Sequence, residues 1–177
     1  MIDRQFAELG SLIEALERVG QAPVAGDTTK ISQYLAKLFG VDPDEVAILA
    51  LSVKDKSLKF LVPEKLVAVG TIPLSSTSAL AARSARERRS EVVNNFSVTR
   101  HATVFEGVPM GRAPGELIQK IMSAPILQGS KVVGVVQISR KGRTIADAGP
   151  DFTQKDLRTL TSLGPLLDRF VRLFEIS

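Results

Sequence analysis

Two apolar runs separated by Gly129-Ser130 constrain the fold of this chain more than any other feature. The first is Met122-Ser123-Ala124-Pro125-Ile126-Leu127, and the second is Val132-Val133-Gly134-Val135-Val136-Gln137-Ile138-Ser139. A glycine-led two-residue connection suits a turn of the primed type, so the runs predict neighbouring antiparallel strands. Gly134 inside the second run marks a close approach to the backbone by a helix or a ligand. Arg140-Lys141-Gly142 closes that strand, and a loop then reaches Gly149-Pro150-Asp151-Phe152-Thr153. A closing helix over 153–175 starts there: Thr153 is a good N-cap, Asp156 supplies a carboxylate three residues on, and Phe152 can staple onto Leu157. Leu160, Leu163, Leu167, Phe170 and Phe174 make one seam, and Leu166, Val171 and Leu173 broaden it. Gly164-Pro165 falls in the middle of the helix and predicts a kink or break, because proline removes a backbone bond and clashes with the preceding turn.

The other end of the chain carries a similar seam. Ile2, Phe6, Leu9, Ile13 and Leu16 recur in steps of four and three over a helix that Gly20 ends, with Leu12 and Val19 widening the stripe. Residues 1–20 therefore form either a helix that covers its own domain or one that pairs across a dimer. The similar seam on the last helix tilts the reading towards a dimer. Gln21 to Asp27 is a linker, after which Thr28 or Thr29 can cap a helix with Ile31, Tyr34, Leu35 and Leu38 on one face, stopping at Gly40. Val46 to Lys54 and Leu58 to Val62 read as strands joined by a turn at Asp55-Lys56-Ser57. Leu66 to Leu74 reads as another strand or two short pieces. A hydroxyl run, Ser75-Ser76-Thr77-Ser78, precedes a helix from Ala79 to Arg89; a short strand follows in Val92 to Val98, then a long irregular loop in Phe105 to Gly115.

Composition removes several chemistries. The chain has no cysteine, which takes away disulfides, thiol nucleophiles and cysteine-based zinc sites. Its single histidine, His101, leaves no basis for a His-centred triad or a multi-histidine metal site, so no metal and no cofactor are expected. No phosphate-loop glycine pattern or nucleophile elbow occurs, and the expectation is that the chain is not an enzyme. No apolar run reaches the ~20 residues of a membrane span, and the charged start is unlike a secretory signal, so no membrane association and a cytoplasmic location are expected.

The element order and the wording of residues 122–141 and 152–157 resemble the GAF domain family, small-molecule sensory relatives of the PAS fold. The likeness spans 28–174 and is strongest at the C-terminal end. It implies an α+β fold: a GAF-like antiparallel sheet with the N- and C-terminal helices packed on one face. The other face would hold a ligand pocket built with short helices and loops. Nucleotide-binding members carry an Asn-Lys pair, a Phe and then an Asp-Glu pair; here Lys141, Phe152 and Asp156 match, but Arg140 and Leu157 stand in place of Asn and Glu. That departure argues against a cyclic nucleotide as ligand. Without cysteine, neither bilin attachment nor the methionine sulfoxide reductase chemistry of some relatives is expected, and a haem would rest on His101 alone.

Candidate ligand-binding residues are the hydroxyls Ser75, Ser76, Thr77 and Ser78, which at a helix start either hold an anion or simply cap the helix. Asn94, Asn95, Phe96, His101 and Phe105 fall where the family's pocket wall and covering loop lie. Arg83, Arg86, Arg88 and Arg89 read as a solvated face, with no interleaved aromatics to suggest nucleic acid as a partner. Arg140, Lys141 and Arg143 read as surface charge, the alternative being contact with an anionic partner. The expected dimer interface comprises Ile2, Phe6, Leu9, Ile13, Leu16, Leu163, Leu167, Phe170 and Phe174. The reading is thus a sensory, homodimeric module that binds a small molecule and signals through a separate output protein. The alternative is a ligand-free interaction module of the same fold.

Overall fold

In the computed structural model, which describes residues 2–96 and 117–174, the Gly129-Ser130 turn joins two of the longest elements in the chain. Strands β5 (Leu117–Gln128) and β6 (Lys131–Gly142) pair antiparallel from Leu117↔Gly142 to Gln128↔Lys131, and Gly129 carries the turn at φ 62°. Both strands outrun the apolar stretches that announced them, because Lys120, Arg140 and Lys141 continue the ladder with polar side chains. Upstream lie β1 (Val46–Ser52), β2 (Ser57–Val62), β3 (Thr71–Pro73) and β4 (Glu91–Val93). The described residues form one antiparallel sheet in the order β3-β2-β1-β6-β5-β4.

Alternation along the strands creates two faces. Ile48, Ala50, Met122, Ala124, Ile126, Val136 and Ile138 point to one side and form a single core with the terminal helices. These are α1 (Ile2–Val19), α2 (Ala25–Phe39), and a C-terminal pair. Leu49, Leu58, Phe60, Ile72 and Val135 point to the other side, where α3 (Glu64–Val67) supplies Leu66 and α4 (Leu80–Glu87) supplies Ala81, Ala82 and Ala85. The expected strand content of Leu66 to Leu74 is thus corrected: its start is a helical turn after Pro63, and only Thr71–Pro73 pairs with β2.

Proline divides the closing helix as the sequence predicts, into α5 (Gln154–Ser162) and α6 (Gly164–Arg172) with Leu163 between them. Thr153 accepts from Asp156 N at 3.1 Å and Asp156 accepts from Thr153 N at 2.8 Å, a complete capping box. The start of α2 differs from expectation. The Asp27 carboxylate accepts from Val24 N at 3.0 Å, while Thr28 and Thr29 sit inside the first turn and donate back to Ala25 O. The threonines bond their own helix instead of capping it.

Arg140 and Lys141 are likewise not loose surface charges, since Lys141 is buried and Arg140 is built into the helical layer. The Arg140 guanidinium donates to Gly40 O at 3.0 Å and Phe39 O at 3.2 Å, and lies 4.8 Å from the centroid of the Phe152 ring. It closes the open carbonyl end of α2 and holds it against the start of α5. Arg140→Ala leaves those carbonyls and the ring face without their cation. A loss of about 2–3 kcal/mol is expected, read as a lower urea midpoint at unchanged slope.

Candidate functional site

On the face opposite the terminal helices, every second residue of β6 after Val135 is polar: Gln137, Ser139 and Lys141. The ladder sets Ser123 of β5 across from Gln137, and Ile121 across from Ser139. All of these side chains are buried, and so is Ser84, which α4 lowers onto the row. Ser84 Oγ and Ser123 Oγ lie 2.7 Å apart, and Gln137 Nε2 donates to Ser123 Oγ at 3.2 Å. Further along, Ser139 Oγ donates to Glu45 O at 3.3 Å, and the Glu45 carboxylate accepts from Lys141 N at 2.5 Å. At the neighbouring bulge, Gln119 Nε2 donates to Gly142 O at 2.8 Å.

Alanines make this approach possible. Ala81, Ala82 and Ala85 let α4 lie close to the sheet, so that a residue as short as Ser84 reaches a strand hydroxyl. The helix is fastened at its side by Arg83, whose Nε and Nη2 donate to the two carboxylate oxygens of Glu91 at 3.0 and 2.7 Å. Such a row of buried hydroxyls and amides offers donors and acceptors of the kind that orient a polar molecule.

The residues singled out from the sequence fall in several places. Ser75, Thr77 and Ser78 are exposed in the loop between β3 and α4; Ser76 Oγ accepts from Ala79 N at 3.1 Å. Arg86 turns back on that loop and donates to Leu74 O and Ser76 O, at 2.5 and 2.6 Å. Asn94 uses both ends of its amide on the backbone of Phe152, accepting at 2.9 Å and donating at 3.0 Å, which places it at the start of the closing helix. Asn95 is exposed, whereas Phe96 is buried with Leu80 and Ile121 on the α4 side of the sheet. His101, Phe105 and the loop to Gly115 lie outside the described residues. Ser84, Ser123, Gln137 and Ser139 are not among the residues singled out from the sequence, and Lys141 enters there only as a match to the nucleotide-type motif and as surface charge, although the period-2 polarity of β6 is there to read.

The two terminal seams face inward in the chain itself. Leu9, Ile13, Leu16, Leu163, Leu167 and Phe170 are buried in one core, with Phe6 and Phe174 half-buried at its margin. The Phe170 and Phe174 rings meet edge to face at 5.2 Å. The side chain of Ile2 lies outside the described set. Outside the core, Arg169 binds Glu17 across α6 and α1, and this hydrogen-bonded cation holds the Glu17 carboxyl below its usual range. Asp42, Asp44 and Glu45 bring carboxylate oxygens within 4.8 Å of one another, but both oxygens of Glu45 already accept backbone N–H groups, from Asp42 and Lys141. Among the described residues no helix is long and apolar enough to cross a membrane.

A family model described as GAF domain matches residues 29–171. Among solved structures the chain is similar to the GAF domain of an Acinetobacter phosphoenolpyruvate-protein phosphotransferase. That match has 13% identity and a TM-score of 0.66, covering 98% of this chain and 96% of the other. It is also similar to the free methionine-R-sulfoxide reductase of Staphylococcus aureus, with 16% identity, a TM-score of 0.59, and coverage of 98% and 94%. The corresponding reductase of Neisseria meningitidis matches with 14% identity, a TM-score of 0.58, and coverage of 97% and 93%. No curated protein matches significantly. At these identities the likeness shows the fold, which is the expected GAF-like α+β arrangement. The reductases also correct one expectation, that the chain is not an enzyme: the same fold carries catalysis in those proteins, so the architecture gives no ground for that exclusion.

Proposed function

We propose that this chain, which belongs to the GAF domain family, is a regulatory module that binds a small molecule against the polar row of β5 and β6. Its bound state passes through the sheet to the helical layer and from there to a separate partner protein. The observation that carries this reading is the row itself. Hydroxyls, amides and a lysine lie buried beside an aliphatic core, and binding sites place a few such groups in an otherwise apolar wall. The position of Arg140 supports the relay. It follows Ser139 and precedes Lys141 on β6, yet grips α2 and Phe152 on the opposite face. A displacement of β6 at the row therefore moves the anchor of two helices.

A second reading, a closed interaction module of the same fold, is favoured by the 2.7 Å contact that lets Ser84 and Ser123 satisfy each other. One experiment separates the two. Freshly purified protein is examined by native mass spectrometry for a retained molecule and melted against a panel of polar metabolites. A compound present at one hundred times its Kd stabilises by about 2.7 kcal/mol, which for a domain of this size raises Tm by about 5–10 °C. Ser123→Ala combined with Gln137→Met is expected to remove that shift while leaving a cooperative melt. If no compound shifts the native chain and no mass is retained, the closed module stands and the ligand reading fails. The hydroxyl pair allows a further check: Ser123→Ala is expected to lower the urea midpoint more than Ser84→Ala, because it removes a hydrogen-bond partner from both Ser84 Oγ and Gln137 Nε2, each such bond being worth about 1 kcal/mol.

A further inference from the structure

Two turns lie side by side at one end of the sheet. Because β1 pairs with β6, with Ala50 opposite Gly134, the β1–β2 turn at Val53 to Lys56 sits next to the β5–β6 turn at Gly129-Ser130. The last turn of α6 reaches the same end. Between them is a groove of about 240 Å³, whose lining includes Leu51, Val53, Lys131, Val133, Val171 and Arg172. Val53 is 64% exposed, a large aliphatic side chain left in water at the groove's edge. Cations surround it. Lys54, Lys56 and Lys131 are exposed and make no ion pair among the described residues, while Lys59 pairs with Asp55 and Arg172 with Asp168. Among the described residues, five positive side chains at this end thus accompany two carboxylates, both already engaged.

We propose that this end of the molecule docks a segment of a partner protein that presents an apolar side chain flanked by acidic residues. The volume decides between kinds of occupant. Small-molecule pockets run to about 300–1,000 Å³, so a smaller groove with an apolar floor suits one anchoring side chain, the usual centre of a protein contact. The unpaired lysines set the sign of what flanks that anchor and speed its arrival. A lipid surface is the poorer match, because peripheral binding needs a broader apolar face than one exposed valine provides. The proposal rests on the partner half of the function proposed above and not on its ligand half. A metabolite-induced rise in Tm survives if docking fails, and docking survives if no metabolite is found.

The test selects a random-peptide display library on the full chain. The expected result is enrichment of peptides with a leucine, isoleucine, methionine or phenylalanine between aspartates or glutamates. Their amide-resolved NMR footprint falls on Val53, Lys131, Val133 and Val171. Lys54→Glu with Lys131→Glu, both at exposed turn positions, weakens these peptides by about tenfold or more with an unchanged circular dichroism spectrum. If that variant does not fold, Lys54→Gln with Lys131→Gln and a salt titration give the same comparison. Enrichment of peptides without acidic residues, or binding that survives the charge changes, overturns the proposal. So does co-sedimentation with phosphatidylcholine–phosphatidylserine vesicles when no peptide binds, which would make the surface a membrane contact.

Discussion

Gly134→Ala is expected to cost about 3 kcal/mol or more, a large share of the roughly 5–15 kcal/mol that keeps a domain folded. A Cβ at this position would stand 2.2 Å from Leu49 O, 3.3 Å from Leu49 C and 3.5 Å from Ala50 Cα. All three atoms are backbone, so no side chain can swing aside to make room. The clash lies in the middle of the sheet, where Leu49 and Ala50 pair with Val135 and Gly134. Relieving it means opening the β1–β6 ladder, which joins one half of the sheet to the other. The same methyl at Gly26, where nothing lies within 4 Å, should instead be neutral or slightly stabilising in its helix. Urea denaturation of both variants checks this. A Gly134→Ala unfolding free energy within about 1 kcal/mol of the native value would show that β1 and β6 can part more easily than their geometry implies.

Gly134 also illustrates what could be read in advance and what could not. An isolated glycine in an apolar strand does signal a close approach, but the sequence offers no way to tell which atoms approach. The expected helix or ligand is in fact the carbonyl of the neighbouring strand. Short-range features were legible: the Gly129 turn, the Thr153 capping box and the break at Pro165 each depend on residues a few positions apart. Features set by distant contacts were not. Arg140 looked like surface charge because nothing local reveals that Phe39, Gly40 and Phe152 converge on it.

The candidate site was legible in part. The alternation of Gln137, Ser139 and Lys141 was visible, but a polar residue in a strand is ordinarily assigned to a solvated face. The arrival of α4, with Ser84 at hydrogen-bond distance from Ser123, and of Glu45 against Ser139 and Lys141 places that row among buried residues. The Ser75 to Ser78 run carried the stronger local signal, yet Ser76 spends its hydroxyl on the Ala79 amide at the helix start, as a cap does.

Glutamate at both Leu167 and Phe170 is expected to unfold the chain rather than to yield folded single subunits. The two residues share one stripe of α6 with Leu163, and that stripe lies against the sheet together with Leu9 and Ile13 of α1. Both side chains are completely buried within one chain, so each new carboxylate must either enter an aliphatic core or tear α6 from the sheet. Truncation alone gives the scale: Leu→Ala in a core costs about 2–5 kcal/mol and Phe→Ala about 3–5 kcal/mol. As near neighbours the two losses will not add fully, but charge insertion exceeds truncation at each site. The expected double-variant result is therefore loss of the cooperative melt and of the far-UV helical signal. The milder Phe170→Ala variant should remain folded, with a lowered urea midpoint and the native light-scattering mass. If glutamate at both positions instead gives a folded protein at half the native mass, the seam serves a second copy of the chain. Buried within one subunit, the same atoms cannot also form a surface between two, so the pair of measurements decides what the terminal helices pack against.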